Sequence, residues 1–141
     1  MDRELLEAFL RGAMVKAEAF DSEGVSDLLW ALATVGERVD PGLLEAMQRR
    51  AATTAESSAP REVSNVLWAL ATMGVKVEWK MLEAMQRRAT ATKAEYKPQE
   101  VANVLWALVA MGERADGPLA ALFDCFAARV IDFRKLLHLK F

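Results

Sequence analysis

Two patterns of hydrophobic positions alternate along the chain. The segment 63–73 is apolar on nearly every side of a helical wheel, so a helix there must be covered by several neighbours. The next segment is amphipathic, with Leu82, Met85 and Ala89 on one stripe at i, i+3 and i+7. The alternation predicts an all-α protein in which a buried helix A precedes a half-exposed helix B.

Local signals place the ends of these helices. In the middle of the chain, helix A is predicted over 60–73 and helix B over about 78–92. Pro60 and Pro98 suit the first helical position, where a missing N–H group costs no hydrogen bond. A glycine stands where a left-handed residue ends a helix, and this stop recurs in every copy: Gly36, Gly74 and Gly112.

The chain repeats itself every 38 residues. The motif Leu-Trp-Ala-Leu marks each copy, and Leu-Leu-Glu-Ala or a close variant opens each helix B. A fixed period of this length with two helices per unit predicts an α-solenoid of stacked helical hairpins, with about three repeats and seven helices. We expect a single domain over 1–141, made of a half repeat and three units: 1–21, 22–59, 60–97 and 98–141.

Three tryptophans lie at the centre of the repeated motif: Trp30, Trp68 and Trp106. Because helix A is apolar, they are predicted to be structural core residues. Replacing Trp68 with Ala is then expected to lower the free energy of unfolding by about 3–5 kcal/mol. The pattern breaks in the last unit, where Leu136 takes the place of Pro60 and Pro98. There helix B is predicted to run over about 118–138, and we expect the repeats to be cut off at this end.

Composition excludes several classes of function. The 18 basic and 20 acidic residues give a net charge of −2, which opposes strong non-specific attraction to polyphosphate. One cysteine and one histidine support neither a zinc site nor a Cys–His nucleophile. We therefore expect no enzyme activity, metal, cofactor or small-molecule substrate. The chain shows no apolar run of membrane-spanning length and no targeting segment, so no membrane partner is expected.

Polar residues at equivalent positions of helix A form the first candidate binding site. Amides both donate and accept hydrogen bonds and can therefore recognise the edge of a base. Alternatively, the same positions could form an internal ladder that bonds to neighbouring backbone. The residues are Asp27, Asn65 and Asn103, with Thr34 and Thr72 two turns further on the same face.

Two sets of basic residues are further candidates. Arg38, Lys76 and Arg114 follow the terminal glycines, where they could hold phosphate or simply complement a helix C-terminus. Arg49 and Arg87 are secondary candidates on helix B. An acidic residue precedes each of these two by four positions, so a surface ion pair explains them as well.

The Leu-Trp-Ala-Leu-Ala-x-x-Gly core, its period and the segment Pro98-Gln99-Glu100 resemble the octotricopeptide repeats. That family consists of α-solenoids that bind RNA in organelle gene expression, and related repeats accompany FAST-kinase-like and RAP domains. The resemblance covers nearly the whole chain. It implies an RNA-processing, RNA-stability or translation factor of chloroplast or mitochondrion, larger than this chain. The Pro-Pro-Pro-Glu-Trp motif of the family is represented here only by Glu78-Trp79, without the prolines.

The sequence therefore favours an RNA-binding helical-repeat module with single-stranded RNA as partner, about one base per repeat. A protein–protein interaction scaffold without nucleic-acid binding is the alternative, since the charge is near neutral and helix B is rich in Met. A structural fragment without a ligand of its own is the third possibility.

Overall fold

The computed structural model describes residues 2–112 together with 121, 124 and 126, and all regular secondary structure in this part is helical. Six α-helices are described, one fewer than the seven predicted, and most of the predicted helix over 118–138 lies outside the described residues. A short 3-10 turn lies between the first and second, the third and fourth, and the fifth and sixth of these helices, at Ala17–Ala19, Ala55–Ser57 and Lys93–Glu95. The α-helices are α1 Arg3–Val15, α2 Ser22–Val35, α3 Pro41–Thr53, α4 Pro60–Met73, α5 Trp79–Thr92 and α6 Pro98–Met111.

The local signals set the helix ends as predicted. Helix α4 covers the predicted 60–73, and α5 begins one residue later than expected. The Glu62 side chain accepts a hydrogen bond from the backbone N–H of Ala59 at 2.9 Å, which caps the start of α4. Gly74 ends the helix in the left-handed region, with φ 67° and ψ 27°. Gly112 also has a positive φ, but its ψ of −143° lies outside the left-handed helical region that was predicted.

The helices pack in two rows, which gives a repeat-like architecture. Helices α2, α4 and α6 lie side by side in one row, the A layer, and α1, α3 and α5 form the other, the B layer. Short loops join α2 to α3 and α4 to α5, and the two helices of each pair pack together. The core lies between the rows and includes the completely buried Leu29, Leu67, Met47 and Met81.

Arginines on the B helices bond to the connector of the preceding repeat. The Nε of Arg50 donates to the carbonyl oxygen of Phe20 at 2.5 Å, and Arg88 donates to Ser58 in the same way at 2.8 Å. One repeat further, the two positions hold Tyr96 and Phe126, whose rings pack at 4.7 Å between centroids. Both kinds of contact join successive repeats, first by charge-assisted hydrogen bonds and then by aromatic packing.

The tryptophans correct one prediction. Trp30 and Trp106 are 46% and 50% exposed, so their assignment to the core is wrong, whereas Trp68 is partly buried against it. The physical reason is that each A helix is covered by the B layer and by its A-layer neighbours, which leaves its outer strip open. The leucine next to each of the first two tryptophans points inward instead and is completely buried: Leu29 and Leu67.

Two features are absent from the part of the chain that the structure describes. No helix in that part of the chain is both long enough and apolar enough to cross a membrane. Among the same residues, no three His, Cys, Asp or Glu side chains are grouped so that they could hold a metal ion.

Candidate functional site

The outer strip of the A layer carries the polar positions and the tryptophans together. On α2 it consists of Glu23, Asp27, Trp30 and Thr34, which share one face because they are three or four residues apart. None of these residues is buried. The same strip continues one repeat apart on the next two helices, as Arg61, Asn65, Trp68 and Thr72 on α4 and as Gln99, Asn103, Trp106 and Ala110 on α6. We call this surface the A face.

The polar positions of the A face do not form the buried ladder that was the alternative interpretation. Asp27 is exposed, and Asn65 and Asn103 are partly exposed. Because neighbouring packed helices lie roughly 8–10 Å apart, their equivalent side chains present a regular series to solvent. The A face can therefore contact an extended ligand that runs across the helices.

The three polar positions differ in their partners. Asp27 forms an ion pair with Arg61 of the neighbouring helix at 3.7 Å, between side chains that are both exposed. Asn103 accepts a hydrogen bond from Gln99 at 3.1 Å. The side chain of Asn65 makes no hydrogen bond or ion pair within the described part of the chain. The central repeat thus presents an amide with both its donor and its acceptor available.

Thr34 and Thr72 are the A-face residues nearest the loops that follow α2 and α4. The hydroxyl of Thr34 donates to the carbonyl oxygen of Trp30 at 2.8 Å, one turn earlier, so its proton is already used within the helix. Its oxygen can still accept a hydrogen bond. Thr72 is exposed and also lines the adjoining cleft, where it connects the A face to the loop edge.

Two equivalent clefts open along the loop edge, one repeat apart. The first, of about 470 Å³, is lined by Gly36, Arg38 and Thr72 among others. The second, of about 740 Å³, is lined by Gly74 and Lys76 at the corresponding places. Both cations are exposed, so the predicted basic series lies beside the A face for these two copies. Arg114, the third member, lies outside the described residues.

A buried amide holds the loop of the second cleft. Gln48 of α3 is fully buried, and its Nε2 donates to the carbonyl oxygen of Lys76 at 3.1 Å. Its Oε1 accepts the backbone N–H of Glu78 at 2.7 Å. The side chain therefore uses both halves of its amide on one loop and fixes the backbone that carries Lys76.

The charges around the clefts and the A face are nearly balanced. Glu37 lines the first cleft together with Arg38, and Glu45 and Glu78 line the second together with Lys76. On the A face, Asp27 already neutralises Arg61. A ligand on this side of the molecule must be held mainly by stacking and hydrogen bonds, because little net positive charge is available to attract an anion.

The secondary basic candidates take part in local contacts of the B layer. Arg87 pairs with Glu83 at 3.7 Å between exposed side chains, which is the ion pair that the spacing predicts. Arg49 is exposed on α3. Both residues lie on B helices, in the row of helices that does not contain the A face.

Sequence reasoning missed the tryptophans as candidates for ligand contact. Trp30 follows Asp27 by three residues and precedes Thr34 by four, which places all three on one helical face. This spacing is the signal that could have identified them. No protein-family model and no curated protein sequence matches the chain, so its likeness to octotricopeptide repeats rests on the motif residues alone.

Proposed function

We propose that the chain is an α-solenoid of stacked hairpins whose A face binds single-stranded RNA. One observation carries the proposal: in each of three copies, a tryptophan lies one helical turn from an aspartate or asparagine, and this tryptophan is exposed in two copies and partly buried in the central one. An indole ring provides a platform for a base, and an amide beside it can bond to the edge of that base. The likeness to octotricopeptide repeats supports the same function, in a larger organelle RNA-processing, stability or translation factor.

The tryptophans account for most of the binding energy in this proposal. Stacking of a base on an aromatic side chain contributes about 1–3 kcal/mol per base. With one base per repeat, three platforms hold about three nucleotides. Unpaired bases are required, because the faces of bases in a duplex are already stacked on one another. The chain should therefore prefer single-stranded RNA to a duplex of the same length.

The central repeat is the place where base identity can matter. Asn65 has an amide that no described neighbour occupies, and Trp68 lies one turn further along the same helix. In the flanking repeats, Asp27 and Asn103 already have partners. We expect replacement of Asn65 with Ala to reduce discrimination between bases at one position while most of the affinity remains.

Fluorescence anisotropy of labelled single-stranded RNA, with a duplex as competitor, tests the proposal. Replacing Trp30 or Trp106 with Ala should weaken binding by about fivefold or more, because each change removes one stacking platform. Phe9 provides an aromatic control, since it is 59% exposed but lies on α1 in the B layer and lines neither cleft. Its replacement with Ala should leave RNA affinity unchanged. Thermal melts of each variant establish that the fold is retained.

The loop edge adds a salt-dependent contribution. If Arg38 and Lys76 contact phosphate, replacing either with Ala should reduce the slope of log affinity against log salt by about 0.7. Equal effects of the Trp30, Trp106 and Phe9 variants, or equal affinity for duplex and single strand, would contradict binding at the A face.

A protein-interaction scaffold is the second candidate function. The observation in its favour is that the exposed Trp30 shares the A face with charged groups of both signs, Asp27 and Arg61. Half-exposed tryptophans with polar surroundings are also typical of protein–protein hot spots. Absence of RNA binding at high protein concentration, combined with a protein partner whose binding needs Trp30 and Trp106, would support this function instead.

A further inference from the structure

The first helix exposes apolar residues whose counterparts are buried. Leu5 and Phe9 of α1 are 67% and 59% exposed, whereas the equivalent Leu43 and Met47 of α3 are 1% and 0% exposed. The next equivalents, on α5, are also completely or almost completely buried, namely Met81 and Met85. The apolar face of α1 therefore has the composition of an interior surface, but the described structure leaves it uncovered.

The first helix of the A layer shows the same difference. Ala31 of α2 is exposed, although its equivalents Ala69 and Ala107 are completely buried. Helices α1 and α2 are the first members of the two rows, so these residues lie at the same end of the molecule. We call the surface formed by Leu5, Phe9 and Ala31 the end face.

Comparison with the interior repeats shows which neighbour the end face lacks. Helix α3 packs against its own A-layer partner α2, and α5 packs against α4. Each interior A helix also packs against the next A helix. A single additional A helix could therefore cover α1 and α2 at once. Such a helix is apolar nearly all round, as α2 and α4 are, which suits it to contact two neighbours.

The start of α1 already has the form that follows such a helix. Asp2 caps α1 by accepting the N–H of Glu4 at 2.9 Å, as Asp40 caps α3 by accepting that of Gly42 at 3.1 Å. In the interior, the short loop that ends at Asp40 joins α3 to the preceding A helix. We propose that the end face is the seat of an A-type helix from a further repeat, joined to α1 through the same kind of loop. This inference does not depend on RNA binding.

A chimaera with one added helix tests the proposal. Residues 22–38 are repeated directly ahead of Met1, which then holds the place of Val39 in the loop. The added helix should raise the melting temperature by roughly 5–10 °C because it buries the end face. It should also slow hydrogen exchange of the α1 amides by about tenfold or more. A control chimaera carries Leu→Gln changes at its added copies of Leu28, Leu29 and Leu32 and should show neither effect.

Variants of the unextended chain provide an independent measurement. Leu5→Gln and Phe9→Gln should barely change its melting temperature, because both side chains are exposed, whereas Leu43→Gln should lower it markedly. In the chimaera, the same changes at Leu5 and Phe9 should remove the gain. Three outcomes would overturn the proposal: equal melting of both chimaeras, unchanged α1 exchange, or a dimer of the unextended chain that Phe9→Gln dissociates.

Discussion

The buried amide of Gln48 provides the sharpest test of how the repeats hold one another. It lies on α3, and it bonds to two backbone groups of the loop that connects α4 to α5. Replacement with Leu keeps a similar volume but removes both hydrogen bonds. The carbonyl oxygen of Lys76 and the N–H of Glu78 then lose their partner.

The structure sets the size of the expected loss. Each of the two hydrogen bonds contributes about 0.5–1.5 kcal/mol net, and a backbone group left without a partner costs about 1–3 kcal/mol when it is buried. Lys76 is exposed and Glu78 partly exposed, so water can replace part of what is lost. We therefore expect Gln48→Leu to lower the free energy of unfolding by about 2 kcal/mol, or the melting temperature by roughly 6–10 °C.

Urea unfolding followed by circular dichroism measures the stability, and hydrogen exchange measures the local effect. The amide of Glu78 should exchange faster in the variant, because its acceptor is gone. Gln86 offers a matched control at the equivalent position of α5, where its amide donates to Thr90 in an exposed contact. Gln86→Leu should cost less than about 1 kcal/mol.

Two results would refute this reasoning. Equal losses for Gln48→Leu and Gln86→Leu would mean that the two hydrogen bonds contribute nothing beyond the general effect of the substitution. Unchanged exchange at Glu78 would mean that Gln48 does not hold the loop in solution.

Two further predictions concern neighbouring or equivalent residues with different surroundings. Trp30→Ala should lower the free energy of unfolding by about 1–2 kcal/mol, because about half of the residue is exposed. Trp68 is partly buried, so Trp68→Ala should lower it by about 2–4 kcal/mol. A larger loss for Trp30→Ala than for Trp68→Ala in urea melts would contradict this difference in burial. Arg88→Met should lower the free energy of unfolding by about 1–2 kcal/mol, because it removes the charge-assisted hydrogen bond to Ser58. Arg87→Met should lower it by less than about 0.5 kcal/mol, because it removes only a surface ion pair with Glu83. Similar losses for the two variants would show that the hydrogen bond to Ser58 does not stabilise the fold.

The corrected position of the tryptophans changes how the repeat motif is interpreted. Its leucines supply the buried contact, since Leu29 and Leu67 are completely buried, and the tryptophan beside them is left accessible. About half of Trp30 and of Trp106 is exposed, so these two are available for contact with a ligand, whereas Trp68 also packs against the core. The proposed function rests on this division of roles within one helical turn.

The candidate site could be predicted in part. The polar positions, the threonines and the basic residues were found by their spacing alone, because residues three or four apart share a helical face. Their pairing could not be found in this way. The ion pair between Asp27 and Arg61 joins two helices, and it depends on how far one helix is displaced along its neighbour, which no local pattern encodes.

The helices and their period follow from local patterns in the chain. Proline at the first turn and glycine at the stop act within a few residues, so the bounds of α4 followed from them. Which side of each A helix stays open depends on how the helices pack, because a helix that is apolar nearly all round has no preferred direction. The contacts of Gln48 and Arg50 depend on it as well, since these bonds join residues about thirty positions apart that only the packing of the repeats brings together.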